Sequence, residues 1–212
     1  MKKEVVPAIN AKNFEEILHK IKILKDYTNH FHLDVATKES TNYETWHKAS
    51  ELKLLPKELK VDLHLMTSLK PLDINQWNDE VVISFILHPE YSINFDGLLK
   101  QTKKLKKKIY IAWSPGIEEE IIKKYLSYVD GILVLGVKPG KSGQEMVEDT
   151  IERLIWCQKN KKEKQKIMID GGVKRDNFLK IKNFADIIVI GSGIYGEENP
   201  LAAYLWFKNN AD

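Results

Sequence analysis

The sequence predicts an α/β protein, a closed (β/α)8 barrel of parallel strands under helices, occupying residues 1–212 as one domain. Three observations carry this. Short β-rich apolar runs alternate with helical patterns almost from end to end, and eight such pairs can be traced in 212 residues. No linker, charge block or low-complexity spacer divides them. The turn after the first strand, Pro7-Ala8-Ile9-Asn10-Ala11, lacks the glycine-rich pattern of an open, doubly wound sheet.

Element by element, the first strand spans 4–9 and leads into a helix over 13–25, where Phe14, Ile17, Leu18, Ile21 and Leu24 form one apolar stripe. A second strand over 31–35 precedes a helix over 46–52, and a third over 60–66 precedes a short helix around 74–77. The fourth strand, 81–87, is followed by a helix over 95–107, the fifth, 108–112, by one over 117–126. The sixth, 131–135, is followed by a helix over 144–160 and the seventh, 166–169, by one over 175–184. The eighth, 187–190, reads Ile-Ile-Val-Ile, apolar on both faces as a parallel strand covered by helices must be. A last helix covers 201–208.

Composition narrows the function classes. With 33 basic and 30 acidic side chains the formal charge is only +3. The lysine runs at 103–108 and 159–166 fall where helices end and strands begin, so they read as solvated, dipole-complementing faces rather than a nucleic-acid patch. Cys157 is the only cysteine, which excludes an intrachain disulfide and a cysteine zinc site and fits a reducing, cytoplasmic location. Its helical setting predicts a buried thiol. The N-terminal apolar stretch is too short for a secretion signal, and no run approaches the ~20 residues of a membrane helix.

Catalytic groups of such barrels sit at the C-terminal ends of strands. Alternation along His32-Leu33-Asp34-Val35 puts His32 and Asp34 on one face and the apolar set on the other, under the helices. Asp62-Leu63-His64-Leu65-Met66 repeats the device, and the seventh strand ends in Asp170-Gly171-Gly172. A lone histidine on a strand is usually a hydrogen-bonded core residue. Two histidines and two aspartates converging on one cavity need a cation, and N/O donors of this kind suit Zn²⁺, Fe²⁺, Mn²⁺ or Co²⁺. Asp62 and Met66 are then expected to support or pack against the ligands. Three glycine-bearing turns follow strands six to eight: Gly140-Lys141-Ser142-Gly143, Gly171-Gly172 and Gly191-Ser192-Gly193. Together they point to a phosphate held by backbone N–H groups, with the first turn opening a helix.

These segments resemble the ribulose-phosphate 3-epimerase family. His32-Leu33-Asp34-Val35, Asp62-Leu63-His64-Leu65-Met66, His88-Pro89-Glu90, Lys138-Pro139-Gly140-Lys141-Ser142-Gly143-Gln144, Ile169-Asp170-Gly171-Gly172-Val173 and Gly191-Ser192-Gly193-Ile194-Tyr195 are similar, in order, to the family's motifs. The resemblance implies a TIM barrel of the ribulose-phosphate-binding type acting as an isomerase of the pentose phosphate pathway in carbohydrate metabolism. It implies one divalent metal ion per subunit, held by His32, Asp34, His64 and Asp170. Asp34 and Asp170 would act as the acid and base on opposite faces of C3, through a metal-stabilised enediolate. Met66 would pack beside the enediolate, and Gly140, Ser142, Gly143, Gly171, Gly172, Gly191 and Ser192 would bind the rest of the sugar phosphate. A homo-oligomer is implied, with no nucleic-acid or membrane partner.

The chain departs from the family pattern at Ala8, where a serine is usual, in the loop Ala36-Thr37-Lys38 after the second strand, and at Lys138, Lys141 and Ser142. Beside D-ribulose 5-phosphate to D-xylulose 5-phosphate epimerisation stand two alternatives: the same chemistry on a ketohexose 6-phosphate, and a non-catalytic phosphosugar-binding barrel. A decarboxylase barrel related to orotidine phosphate decarboxylase would need lysine where Ala36 stands, and is discounted.

Overall fold

The computed structural model describes residues 3–211. Met1, Lys2 and Asp212, which belong to the expected domain, lie outside them. Eight strands form a closed parallel barrel in sequential order: β1 (Glu4–Ile9), β2 (His30–Ala36), β3 (Lys60–Met66), β4 (Val82–Leu87), β5 (Lys108–Trp113), β6 (Gly131–Leu135), β7 (Lys166–Asp170) and β8 (Ile187–Ile190). Every expected strand is present, with ends moved by no more than a residue.

The apolar residues divide into two layers, as the alternation requires. Phe31, Leu33, Val35, Val61, Leu63 and Leu65 belong to the outer layer between sheet and helices. Val6, Ala8, Ile86, Tyr110, Ala112, Leu133, Met168 and Val189 fill the barrel itself. The covering helices are α1 (Phe14–Leu24), α2 (Lys38–Thr41), α3 (Phe95–Lys104), α4 (Glu119–Tyr125), α5 (Thr150–Asn160), α6 (Arg175–Ile181), α7 (Ser192–Tyr195) and α8 (Pro200–Asn209). Asn13 caps α1 by accepting from the Glu16 N–H, and Asn199 caps α8 through the Ala202 N–H, so these two helices start where a side-chain acceptor stands. Cys157 is fully buried on α5, and burial pushes its thiol up to about 12. Phe207 is core, edge-on to Phe178. Among the described residues no helix is long and apolar enough to cross a membrane.

Two expected helices change, and two short ones are added. The segment 46–52 is not an α-helix: a 3-10 turn, Ala49–Leu54, covers this side, and Trp46 is instead tied by its backbone N–H to the Ala11 carbonyl. The helix after β6 begins at Thr150, not at 144. The Gln144 amide donates to the carbonyls of Lys138 and Lys141, and the Val147 N–H returns to Gly136, so 144–149 closes a loop over the barrel. The glycine-bearing turn therefore does not open a helix. Finally, α2 and α7 fall in stretches that carry too few residues to show periodicity.

Arg153 on α5 locks two strand ends. Its Nη1 donates to the Trp113 carbonyl at 2.7 Å, and its Nη2 donates to Leu135 O and Asp149 Oδ1, both at 3.0 Å. Arg153→Lys keeps the charge but cannot span both carbonyls. It is expected to cost about 1–3 kcal/mol in urea unfolding, the penalty of a buried polar group left unpaired.

Candidate active site

The C-terminal mouth of the barrel gathers the predicted side chains. Parallel register sets Asp34 beside His64 and His32 beside Asp62, so β2 and β3 deliver their inward residues at matching heights. Asp170 arrives from the end of β7. One donor atom each from His32, Asp34, His64 and Asp170 lies within 4.8 Å of all the others. His64 Nδ1 faces Asp34 Oδ1 at 3.1 Å and Asp170 Oδ2 at 3.4 Å. His32 Nε2 faces the same two carboxylates at 3.5 and 4.0 Å.

The electrostatics are those of a site short of positive charge. Burial raises the cost of ionising Asp34, yet the imidazoles of His32 and His64 facing it outweigh this and hold the carboxyl well below its ordinary range. Burial likewise opposes charge on His64, but hydrogen bonds to Asp170 and Asp34 raise it to about 9. His32 is completely buried, and neither of its ring nitrogens makes a hydrogen bond. Such orphaned polar atoms typically cost about 1–3 kcal/mol each and call for a partner. Two nitrogen and two oxygen donors with an unused imidazole lone pair fit a divalent cation; the residues present could hold one.

A second polar storey lies beneath. His30 Nδ1 meets Glu4 Oε1 at 2.7 Å, its Nε2 meets Asp62 Oδ2 at 2.8 Å, and the Ser84 hydroxyl donates to Asp62 Oδ1. Asp62 thus faces inward as expected, but its partners are His30 and Ser84 rather than the two upper histidines. Here every charge is answered within the protein, in contrast with the storey above.

Above the four donors a pocket opens, and every residue expected at the substrate lines it: Met66, Gly140, Ser142, Gly143, Gly171, Gly172, Gly191 and Ser192, with Asp34 and Asp170 at its floor. His32 and His64 sit below, fully buried. Gly171 and Gly172 take φ of +89° and +72°, where a side chain is strained, and a Cβ on Gly172 would lie 2.7 Å from Met146 backbone atoms. A Cβ on Gly191 would stand 3.6 Å from the Ala8 Cβ and 3.8 Å from Ser142 Oγ, so β1, the β6 loop and β8 converge on one small space.

Two groups near this pocket carry no distinctive signal in the sequence. Asn10, two residues beyond Ala8, lines it and donates its amide to the Gly140 carbonyl at 3.0 Å. Thr45 holds the end of β2 from behind, donating to Asp34 O and accepting from Ala36 N–H. Only their position after an inward strand residue, or beside one in space, reveals them.

Comparison with known proteins shows the family and the fold. The model of the ribulose-phosphate 3 epimerase family matches residues 4–195. The ribulose-phosphate 3-epimerase of Aquifex aeolicus (strain VF5) is 31% identical over 145 residues, covering 66% of this chain and 65% of the relative. That of Buchnera aphidicola subsp. Baizongia pistaciae (strain Bp) is 32% identical over 155 residues, 68% and 64% of the two chains. The chain thus spans just under two thirds of the length of these two relatives. The crystal structure of KGPDC from Streptococcus mutans superimposes with a TM-score of 0.76 at 9% identity over 100% of this chain and 98% of that one, a likeness of fold.

If the four donors hold a cation, Co²⁺ or Zn²⁺ added to metal-stripped protein raises Tm, by linkage worth about 2.7 kcal/mol at a hundredfold excess over Kd. His32→Phe is expected to abolish the shift. A flat wild-type Tm across the titration would show that the cluster binds no ion.

Proposed function

The chain belongs to the ribulose-phosphate 3-epimerase family, and on that premise we propose that it epimerises C3 of a ketose phosphate, interconverting D-ribulose 5-phosphate and D-xylulose 5-phosphate. The observation that carries this reading is the pair Asp34 and Asp170 at the floor of one pocket, each within 3.5 Å of the same His64 nitrogen.

The chemistry asks for two proton-transfer groups. The C3 proton is made acidic by the C2 carbonyl, and inversion requires removal on one face and return on the other. Asp34, from β2, and Asp170, from β7, come from different sides of the barrel. One begins ionised and takes the C3 proton; the other begins protonated and delivers its own to the opposite face. Each turnover therefore exchanges their protonation states, and the reverse reaction uses the exchanged pair. A divalent ion held by His32, Asp34, His64 and Asp170 would supply Lewis-acid stabilisation for negative charge developing on the C2 and C3 oxygens. Its identity among Zn²⁺, Fe²⁺, Mn²⁺ and Co²⁺ is a matter of availability as much as affinity.

The glycine-bearing turns hold the other end of the substrate. Backbone N–H groups around Gly143, Gly171, Gly172, Gly191 and Ser192 suit phosphate oxygens, and Lys141 lines the same pocket. Met66, buried at the end of β3, offers the reacting carbons an apolar, polarisable wall that excludes water. A ketohexose 6-phosphate is the second reading, favoured by Ala8, whose methyl group sits where a serine hydroxyl would narrow the pocket.

Exchange of the substrate C3 proton with deuterated solvent tests the proposal, with pentulose and hexulose phosphates assayed side by side. Asp34→Asn and Asp170→Asn are each expected to lower turnover by orders of magnitude while the far-UV circular dichroism stays native. A wild-type rate in either variant would remove that carboxylate from the mechanism. No exchange by the metal-loaded wild type would favour a phosphosugar-binding barrel without catalysis.

A further inference from the structure

The segment His88-Pro89-Glu90 plays no part in the reaction as derived above, yet its His88 ring reaches His64 from behind. Ser84, Ile86 and His88 alternate inward along β4 and its extension, and the residue before a proline is held to extended backbone. His88 keeps φ −97° and ψ 119°, so its ring continues the inward row instead of turning out with the loop. It is 2% exposed. Its Nε2 lies 2.8 Å from His64 Nε2, on the side of His64 away from the carboxylates. The two rings are within 10° of coplanar with centroids 5.0 Å apart. With the nitrogens so close, that is an end-to-end N–H···N contact and not a face-to-face stack.

The far side of His88 is also occupied. Its Nδ1 is 2.9 Å from Glu90 Oε1 and 3.1 Å from Ser114 Oγ, and the Ser114 hydroxyl donates to Glu90 Oε1 at 2.5 Å. Tyr91 closes the group, its ring 5.0 Å from that of His88.

We propose that His88 is a positioning residue that fixes His64 in the tautomer able to bind a cation, with Glu90 and Ser114 fixing His88 in turn. The inference rests on the metal-site reading above and adds to it the groups that orient one ligand. Hydrogen-bond bookkeeping sets the direction. An ionised Glu90 carboxylate only accepts, so it takes the Ser114 O–H and the His88 Nδ1–H. A neutral His88 with its proton on Nδ1 has a bare Nε2 lone pair, which accepts from His64 Nε2–H. With Nε2–H committed to His88, the proton that a cation displaces from His64 is the one on Nδ1, and the neutral ring then turns its Nδ1 lone pair to the cluster of His32, Asp34 and Asp170. The opposite arrangement would set the His88 Nδ1 lone pair against Glu90 Oε1 at 2.9 Å and put a proton on His64 Nδ1, where a cation should go. A histidine ligand whose second nitrogen is fixed by a hydrogen bond generally binds metal about 10–100-fold more tightly than one without that partner.

Titration of metal-stripped protein with Co²⁺, followed by its visible absorption bands, tests this in the absence of substrate. His88→Phe keeps an aromatic ring of similar shape but accepts nothing from His64; its Co²⁺ affinity is expected to fall about 10–100-fold. His88→Gln can place an amide oxygen near the lost Nε2, and is expected to stay within a few-fold of wild type. A residue that merely filled space would give the reverse order. Glu90→Ala leaves both rings in place and is expected to weaken Co²⁺ binding, which keeps the test intact if His88→Phe does not fold. Wild-type affinity and spectrum in His88→Phe or in Glu90→Ala, or His88→Gln binding as weakly as His88→Phe, would overturn the relay alone. A wild-type protein that bound no Co²⁺ would instead sink the metal-site reading, and the relay with it.

Discussion

Two carboxylates forced together at the mouth of a barrel, with no basic side chain among them beyond two imidazoles, are the constraint on which the rest of the molecule turns. Asp34 and Asp170 both approach His64 Nδ1, and His32 stands beside them with neither ring nitrogen satisfied. Charges of one sign at such separations cannot share a low-dielectric site without a cation or a proton between them. The lower storey shows what the same residue types do when the protein answers its own charges. There Glu4, His30, Asp62 and Ser84 close into a satisfied network. The upper set is left open, and it is the one that meets the pocket.

The architecture explains why the open set lies where it does. β2 and β3 pair in register over their whole length, which sets their inward side chains side by side, and closure of the eight parallel strands brings the end of β7 to the same mouth. The outer apolar layer anchors the strands to the helices, so the inner face is free to carry polar groups at its upper end. Arg153 and Thr45 then hold strand ends from outside the barrel. Strands and loops divide the work accordingly. The proposed proton-transfer groups stand on strands, which hold geometry tightly, and the recognition groups stand on the turns that follow.

Apart from Ala8 on β1, the chain departs from its family's pattern in the segments that follow the strands. Gly140 packs against Thr41 and Tyr43 of the β2 loop, a Cβ there meeting Thr41 at 3.0 Å, and Asn10 pins its carbonyl. The β1, β2 and β6 loops therefore form one contiguous surface over the pocket. Ala8, near the end of β1, lines the pocket, and Ala36-Thr37-Lys38 leads from β2 into α2 beside this surface.

Much of this was written locally in the chain. Period-two alternation placed His32, Asp34, Asp62, His64 and Met66 inside the barrel, because successive strand residues point to opposite faces whatever the tertiary context. Glycine-bearing turns after β6, β7 and β8 marked one end of the barrel for the same local reason. What only the folded chain decided was partnership. Asp62 belongs to His30 and not to the ligands, since the register sets its height. The stretch 144–149 is loop rather than helix, because Gln144 and Val147 bond back across the turn. His88 meets His64 across β3 and β4, a contact between residues 24 apart that no spacing rule encodes. Side-chain direction is a property of one strand; hydrogen-bond partnership is a property of two, and it exists only once their register is set.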